Sequence, residues 1–471
     1  VSAAPVFFEP PGGRVGDVIP AVHEGVFHLW YLHEQRSDAG CGMPWHLVTT
    51  NDFVTFTDHG EAVPSGGPDA EDFNVYTGSV VQGPDATWHL FSTAQNPARR
   101  GADGRPVQLV AHATSESPHG PWRKLPEWTF GAPAGYETGD WRDPFVFHDG
   151  EKWRMLVAAR HSDGPDRRRG TVAQLVSDDL FAWRPIEPLW DPRRFVAHEC
   201  PDVFEWDGWW YLVYSEFTDT FCTRYRMARS LEGPWIAPDD DAIDTRAFYA
   251  AKTVARDGRR FFVGWIADRE NDDDGAWQWA GTMAVLEATQ RADGTLAFGL
   301  PAELVASFDE PVPAGMPDLP LALAAPDAFR AIVGTADLPE AWYARAEIRI
   351  ADRTAAVGLL LRADADGGRS GIVQLEPRRG RVLFDRWPRT VTGGEQWQIS
   401  GDVPFEFDRP VRLDAGPHIV EIVTDGELVV VVVDGQVSLS TRFHARAGAR
   451  FGFFVSDGEA SLESLIVHRR N

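Results

Sequence analysis

Three acidic residues stand in short motifs with the same surroundings: Asp17 in GDVIP, Asp143 in WRDPF and Glu199 in HECPDVF. Each opens an apolar run that ends in a turn and continues into an aromatic-rich stretch. Cleaving a glycosidic bond takes a proton donor for the leaving oxygen and a second carboxylate on the other side of the sugar. A third fixed carboxylate that holds ring hydroxyls stabilises the positive charge that develops during furanosyl transfer. Residues this far apart in the chain can share that work only if repeated elements bring equivalent positions to one axis.

The repeat that would do so is visible. HEGVFHLWYL from His23, GPDATWHLFS from Gly83, HDGEKWRMLV from His148, WDGWWYLVYS from Trp206 and RDGRRFFVGW from Arg256 start 50 to 65 residues apart. Self-similarity at such a period marks a propeller, solenoid or array. Asp-Gly and Glu-Gly between apolar runs are hairpin signals. A short apolar strand precedes each turn: DVIPAVH, TGSVVQ, DPFVFH, PDVFEW and YAAKTVA. Further alternating segments, such as WHLVTT and VQLVAHAT, follow, so each unit has room for the four strands of a propeller blade. No amphipathic helix of useful length is predicted. The expected fold is all-β, a five-bladed β-propeller over residues 1–304 followed by a C-terminal β-sandwich over 331–471.

Between them, 305–330 reads as a linker, because DEPVPAGMPDLPLALAAP from Asp309 to Pro326 breaks regular pairing. Beyond it, short strands with Asp425-Gly426 and Asp434-Gly435 turns suit an antiparallel sandwich. Its ELVVVVV run is expected to be central and covered, since an exposed edge of that kind aggregates. The sandwich carries no clustered His, Asp or Glu of catalytic type and is expected to prop the propeller.

With 70 acidic against 45 basic residues, the net charge of −25 repels phosphates. Nucleic acid and anionic membranes are therefore unsuitable partners; the charge is compatible with the small carbohydrate that the three acids suggest but does not imply it. Cys41, Cys200 and Cys222 form no CxxC pair, so neither a zinc site nor a disulfide framework is indicated, and three free, buried thiols are expected. No leader or membrane span is recognisable, which makes a cytoplasmic location the expectation. In NDDDGAWQW, the acids read as a solvated loop, and Trp277 and Trp279 as core or as a stacking wall for a sugar.

WRDP, ECPDVF, FYAAKT from Phe248 to Thr253, GWI from Gly264 and the late FGFFVSDGEASLESL together resemble glycoside hydrolase family 32, the β-fructosidases, over nearly the whole chain. The resemblance implies a five-bladed propeller followed by a sandwich. It also implies retaining cleavage of terminal β-D-fructofuranosides by double displacement, without metal or organic cofactor. By it Asp17 is the nucleophile, Glu199 the acid/base and Asp143 the transition-state stabiliser. Substrate contacts are implied for His33, Trp45, Tyr76, Ser79, Arg142, Tyr249 and Trp265. One departure stands out. The family's usual Asn-Asp-Pro-Asn-Gly loop is here Gly16-Asp17-Val18-Ile19-Pro20, which marks a divergent subgroup. Other readings compatible with the same acids are a fructosyltransferase, including one that forms a difructose anhydride, and a furanosidase for another sugar such as arabinofuranose. A noncatalytic sugar-binding propeller would not need an opposed pair of carboxylates.

Overall fold

The computed structural model of the chain describes residues 5–35, 39–194, 196–217, 220–270, 272–388, 407–445 and 447–471. They separate into two compact units, one of 8–267 and 279–295 and the other of 1–7, 268–278 and 296–471.

The first unit is the propeller. Its innermost strands are Arg14–His23, Asn74–Gln82, Tyr136–His148, Ala197–Trp206 and Phe248–Arg256. They neighbour one another around a closed ring. Each pairs antiparallel with the aromatic strand that follows it. The hairpins at Glu24-Gly25, Asp207-Gly208 and Asp257-Gly258 have positive φ at both central residues. That is the type I′ turn, whose twist matches that of the strands, and acidic-Gly pairs favour it. Blades 1, 2 and 3 have four strands, whereas blade 4 has three and continues as isolated bridges through Ala242 and Ile236. Blade 5 joins blade 1 in one sheet through Val15 and Gly281.

The seams between blades hold the core. Ile19, Trp30, Trp45, Val75 and Leu90 fill the first seam, Phe91, Val110, Trp141 and Met155 the second, and Leu156, Val203, Leu212 and Tyr214 the third. Each such side chain contributes about 1.5–3 kcal/mol when fully buried, so blades 2 and 3 are held by both their neighbours.

All five innermost strands also carry an irregularity at the same place. Register shifts fall between Val15 and Val18, Tyr76 and Gly78, Arg142 and Phe145, Glu199 and Asp202, and Tyr249 and Lys252. Asp143, Cys200 and Ala250 take positive φ there, at 61°, 51° and 53°. A bulge inserts an extra residue, bends the strand and re-aims its side chains. Blade by blade, these bulges set Asp17, Thr77, Asp143, Cys200 and Ala250 at matching positions.

The second unit is the sandwich. Its path of strands runs from Phe407–Pro410 through Arg381–Trp387, Ser370–Glu376, Ala356–Ala363, Arg450–Arg469, Trp342–Ile350, Gly416–Asp425 and Leu428–Val433 to Val437–Arg442. The two ends of that path meet where Arg409 Nη1 donates to the Ser438 carbonyl at 3.1 Å. Strand Arg450–Arg469 pairs with Ala356–Ala363 along its first part and with Trp342–Ile350 along its second, so both layers share it. Leu428–Val433 is buried throughout and paired on both sides, as its aggregation hazard requires.

The expected linker is corrected in part. Leu321–Asp337 is a strand, paired along Arg450–Arg469 from Leu321↔Leu462 to Asp337↔Arg450. It is an edge strand, and its Pro326 falls in the register shift between Ala325 and Phe329, where no ladder bond is lost. Preceding it are one short helix, Ala302–Ala306, and the two-residue strand Glu310–Pro311. The acids of NDDDGAWQW are not merely solvated. Asp273 accepts the His444 and Ala445 N–H groups, each at 2.7 Å, and Asp274 pairs with Arg386. All three thiols are free, but Cys41 is exposed, contrary to expectation, because it sits in the short turn Ala39–Cys41. Among the described residues no helix is long and apolar enough to cross a membrane.

Candidate active site

The bulges of blades 1, 3 and 4 bring Asp17, Asp143 and Glu199 to one cavity of about 290 Å³. Leu32, Glu34, Met43, Tyr76, Thr77, Gln108, Arg142, Phe221 and Trp279 complete its lining.

Asp17 is 8% exposed and held by three donors, each from a different blade. Thr77 Oγ1 and Cys200 Sγ donate to Oδ2, the latter at 3.5 Å, and Trp265 Nε1 donates to Oδ1 at 3.0 Å. Burial raises the pKa of Asp17, and the three hydrogen bonds pull against that rise. Asp143 accepts the Cys200 N–H at 2.9 Å, and its own N–H donates to Thr93 Oγ1 at 2.7 Å. Burial pushes its pKa up to about 7, Arg142 opposes this, and the charges of Glu199 and Asp17 add to it.

Glu199 is the most open of the three, with 19% of its side chain accessible. Arg142 Nη2 donates to Oε1 at 2.9 Å, and the Tyr249 hydroxyl donates to Oε2 at 2.7 Å. Arg142 is itself fixed by Asp140 Oδ1 at 2.6 Å. Burial alone would lower the pKa of Arg142, but Glu199, Asp140 and Asp143 outweigh it, so the guanidinium stays charged. The Tyr249 ring stacks on Phe221 at 3.6 Å, and burial beside Glu199 raises the phenol pKa, which keeps it a donor.

Two rings of equivalent positions emerge. Tyr76, Arg142, Glu199 and Tyr249 precede the bulge residues of blades 2 to 5, and three of them are joined by Arg142–Glu199–Tyr249 hydrogen bonds. Thr77, Asp143 and Cys200 belong to the bulges themselves and hold one another through Asp17 and Asp143. Below them Lys252 Nζ donates to the Gly78 carbonyl at 3.0 Å and approaches that of Pro201 at 3.5 Å, tying bulges on opposite sides of the axis.

Of the expected substrate contacts, Tyr76 and Arg142 line the cavity, whereas five of the others do not. His33 is buried against His46, with ring centroids 4.0 Å apart. Strand alternation puts its neighbours Leu32 and Glu34 at the cavity instead. Trp45 lies in the first seam, and its indole donates to the Val75 carbonyl at 2.9 Å. Ser79 Oγ accepts the Val146 N–H at 2.9 Å and ties blade 2 to blade 3. Trp265 and Tyr249 are fully buried and act on Asp17 and Glu199 from behind. Sequence reasoning missed Thr77, Cys200, Glu34, Met43, Gln108 and Phe221. Thr77 lay in TGSVVQ and Cys200 in HECPDVF, segments already singled out for other residues.

Gly16 explains part of the altered first motif. A Cβ there would lie 2.5 Å from Trp279 Cη2 and 2.9 Å from Leu32 Cβ. The Trp279 ring therefore occupies the space that a side chain beside Asp17 would take, and it packs edge-on against Trp265 at 5.9 Å. Gly16→Ala should displace this ring and raise KM, whereas Trp279→Ala should raise KM and abolish the further effect of Gly16→Ala. Additive effects in that double-mutant cycle would show that the two residues are not coupled.

Burial of Asp143 also has a pH signature. In the unfolded chain the group ionises near 3.8, and in the folded chain near 7. The folded state binds the proton more tightly, so this contribution to stability is complete below pH 3.8 and lost as pH rises through about 7. At about 1.4 kcal/mol for each unit, the difference amounts to a few kcal/mol. Asp143→Asn removes the titration while keeping an acceptor for Cys200 N–H. Its stability relative to wild type should rise between pH 5 and pH 8 in urea unfolding, and a constant difference would contradict the assignment.

The model of the glycosyl hydrolases family 32 N-terminal domain matches residues 8–296. Sucrose-6-phosphate hydrolase of Vibrio alginolyticus is 25% identical over 292 residues, covering 58% of this chain and 57% of the relative. Levanbiose-producing levanase of Bacillus subtilis is 24% identical over 275 residues, covering 52% and 49%. The chain thus spans about half the length of these curated relatives. Exo-inulinase from Aspergillus awamori superposes with a TM-score of 0.76 at 17% identity, over 99% of this chain and 98% of that one. Fructan 1-exohydrolase IIa from Cichorium intybus gives 0.75 at 16%, over 99% and 97%. These structures share the fold, a five-bladed propeller followed by a β-sandwich. With the match covering more than half of its length, the chain belongs to glycosyl hydrolase family 32.

Proposed function

We propose that this chain cleaves terminal β-D-fructofuranosides with retention of configuration. The observation that carries the reading is the convergence of Asp17, Asp143 and Glu199 on one cavity with unequal surroundings. Asp17 is deep, and its donors orient it. Glu199 is the most open, where a leaving group departs. In the first step an Asp17 oxygen forms a bond to the anomeric carbon while the glycosidic C–O bond breaks and Glu199 gives its proton to the leaving oxygen. In the second, a water oxygen attacks that carbon, its proton passes to Glu199, and the Asp17 carboxylate is released. Asp143 accepts ring hydroxyls whose acidity grows as positive charge develops, so its hydrogen bonds tighten in the transition state. Arg142 and Tyr249 hold Glu199 in place between the two steps. The steps call on no metal or organic cofactor. Names of matched relatives, a sucrose-6-phosphate hydrolase and a levanase among them, agree with this substrate class.

The test is product analysis with sucrose, kestose, inulin, levan and a panel of aryl furanosides, with the anomer first released followed by NMR. Free fructose appearing first as the β-anomer is expected. An oligomeric or anhydride product would move the reading to transfer. Cleavage of an arabinofuranoside alone would show that the GDVIP motif serves another sugar.

A further inference from the structure

We propose that the sandwich unit carries a second saccharide site, separate from the propeller cavity, that holds a fructan chain. That the saccharide is a fructan rests on the function proposed above.

The site is a cavity of about 670 Å³, more than twice the size of the one at the three carboxylates. It lies on one face of the sheet formed by Arg381–Trp387, Ser370–Glu376, Ala356–Ala363, Arg450–Arg469 and Leu321–Asp337. On these strands Leu359, Val373, Leu375, Phe384 and Val455 are buried in the sandwich core. Alternation therefore turns Ala356, Gln374, Ser456 and Phe454 to the opposite face, where they meet the cavity.

Two large aromatic rings stand at its edge. Phe329 is 44% exposed and Trp387 41%, and they meet edge to face at 5.3 Å. Phe329 is braced by stacking on Phe454 at 5.4 Å. Adjacent exposed aromatics on a rigid sheet mark a binding surface rather than core. Opposite them, Glu376 accepts Arg381 Nε at 2.6 Å and Gln374 Nε2 at 2.8 Å, which fixes a carboxylate and an amide in the cavity. Asp385, 8% exposed, is held by the Arg386 N–H at 2.9 Å.

Charge selects the ligand. Each arginine of the lining is already engaged: Arg378 with the carbonyls of Arg353 and Asp457, Arg379 with Glu376, and Arg386 with Asp274. With two of these cations paired to carboxylates and the third held by carbonyls, on a chain of net charge −25, an anion is disfavoured. A neutral polyhydroxylated ring suits the arrangement, with C–H faces on the aromatics and hydroxyls on Gln374, Glu376 and Asp385. Such a site would anchor the protein to a polymer and raise the local concentration of chain ends.

The test is affinity electrophoresis of the full chain carrying Glu199→Gln, in gels containing levan, inulin or dextran. Retardation by a fructan and not by dextran is expected. Trp387→Ala on the same background should weaken it about tenfold, a common size for losing an aromatic anchor. Gln374→Ala is the second probe and should also weaken it. In the otherwise wild-type chain, Trp387→Ala should leave kcat/KM on an aryl fructoside unchanged. No retardation, or retardation that neither substitution reduces, would overturn the site, and retardation by dextran alone would overturn its assignment to fructan. Failure to cleave aryl fructosides with fructan retardation intact would count against the propeller reading and support this one.

Discussion

Asp17→Asn is expected to lower turnover of every fructoside by about 10⁴-fold or more, the scale seen when a nucleophile is removed. An amide cannot form the covalent ester, and the other two carboxylates have no route to replace it. The fold should survive, because Asn keeps an oxygen for the Trp265 N–H and fills the same volume. It should even be stabilised at neutral pH. Burial raises the pKa of Asp17, so the folded state holds an ionised carboxylate at a cost that an amide does not carry. Steady-state rates and thermal unfolding on one preparation test both halves. Wild-type turnover would remove Asp17 from the nucleophile role, and lost turnover with a lower melting temperature would mean that the substitution broke the site rather than the chemistry.

Glu199→Gln should separate substrates by leaving group. Sucrose and kestose depart as poorly stabilised alkoxides and need a proton, so their cleavage should fall by about 10²–10⁴-fold. A nitrophenyl fructoside leaves as a stable anion and needs little acid help. Its first step should remain fast, while the second slows because no base activates water. A burst of nitrophenolate followed by a slow steady rate is the expected time course. Equal slowing of both substrates without a burst would show that Glu199 does not act as acid and base. Tyr249→Phe offers a milder version. It removes the 2.7 Å hydrogen bond to Glu199 without touching the cavity lining, and should shift the pH profile more than KM.

Much of this was legible in the chain. Asp-Gly turns and period-two alternation located the hairpins, because a two-residue loop with positive φ tolerates few residue types. The three acids were found because each stands just before the apolar run of an innermost strand. Which side chains of blade 1 reach the cavity was not legible. His33 and Trp45 were read as facing the sugar, yet the cavity is met by Leu32, Glu34 and Met43. His33 lies on the opposite strand face from Leu32 and Glu34, whereas Trp45 shares a face with its cross-strand partner Leu32 and is held in the seam by its hydrogen bond to Val75. Thr77 and Cys200 were missed for another reason. Their work is to donate across blades to Asp17 and Asp143, and a partner 60 or 183 residues away leaves no period to detect. Leu321–Asp337 was hidden by Pro326, which excludes a central strand but not one at an edge.

The partners of the three carboxylates come from other blades almost without exception: Asp17 leans on blades 2, 4 and 5, Asp143 on blades 2 and 4, and Glu199 on blades 3 and 5. No partly folded chain with an open ring can hold that constellation. Contacts between blades 1 and 5 span most of the unit in sequence, and long-range closure of this kind is slow and comes late. Recovery of activity on refolding should therefore lag behind recovery of β-sheet signal. A truncated or nicked chain lacking one blade should bind and cleave nothing, rather than a fraction. Catalysis in such a ring reports on completion of the whole circle, which makes turnover a sensitive gauge of folding quality for this architecture.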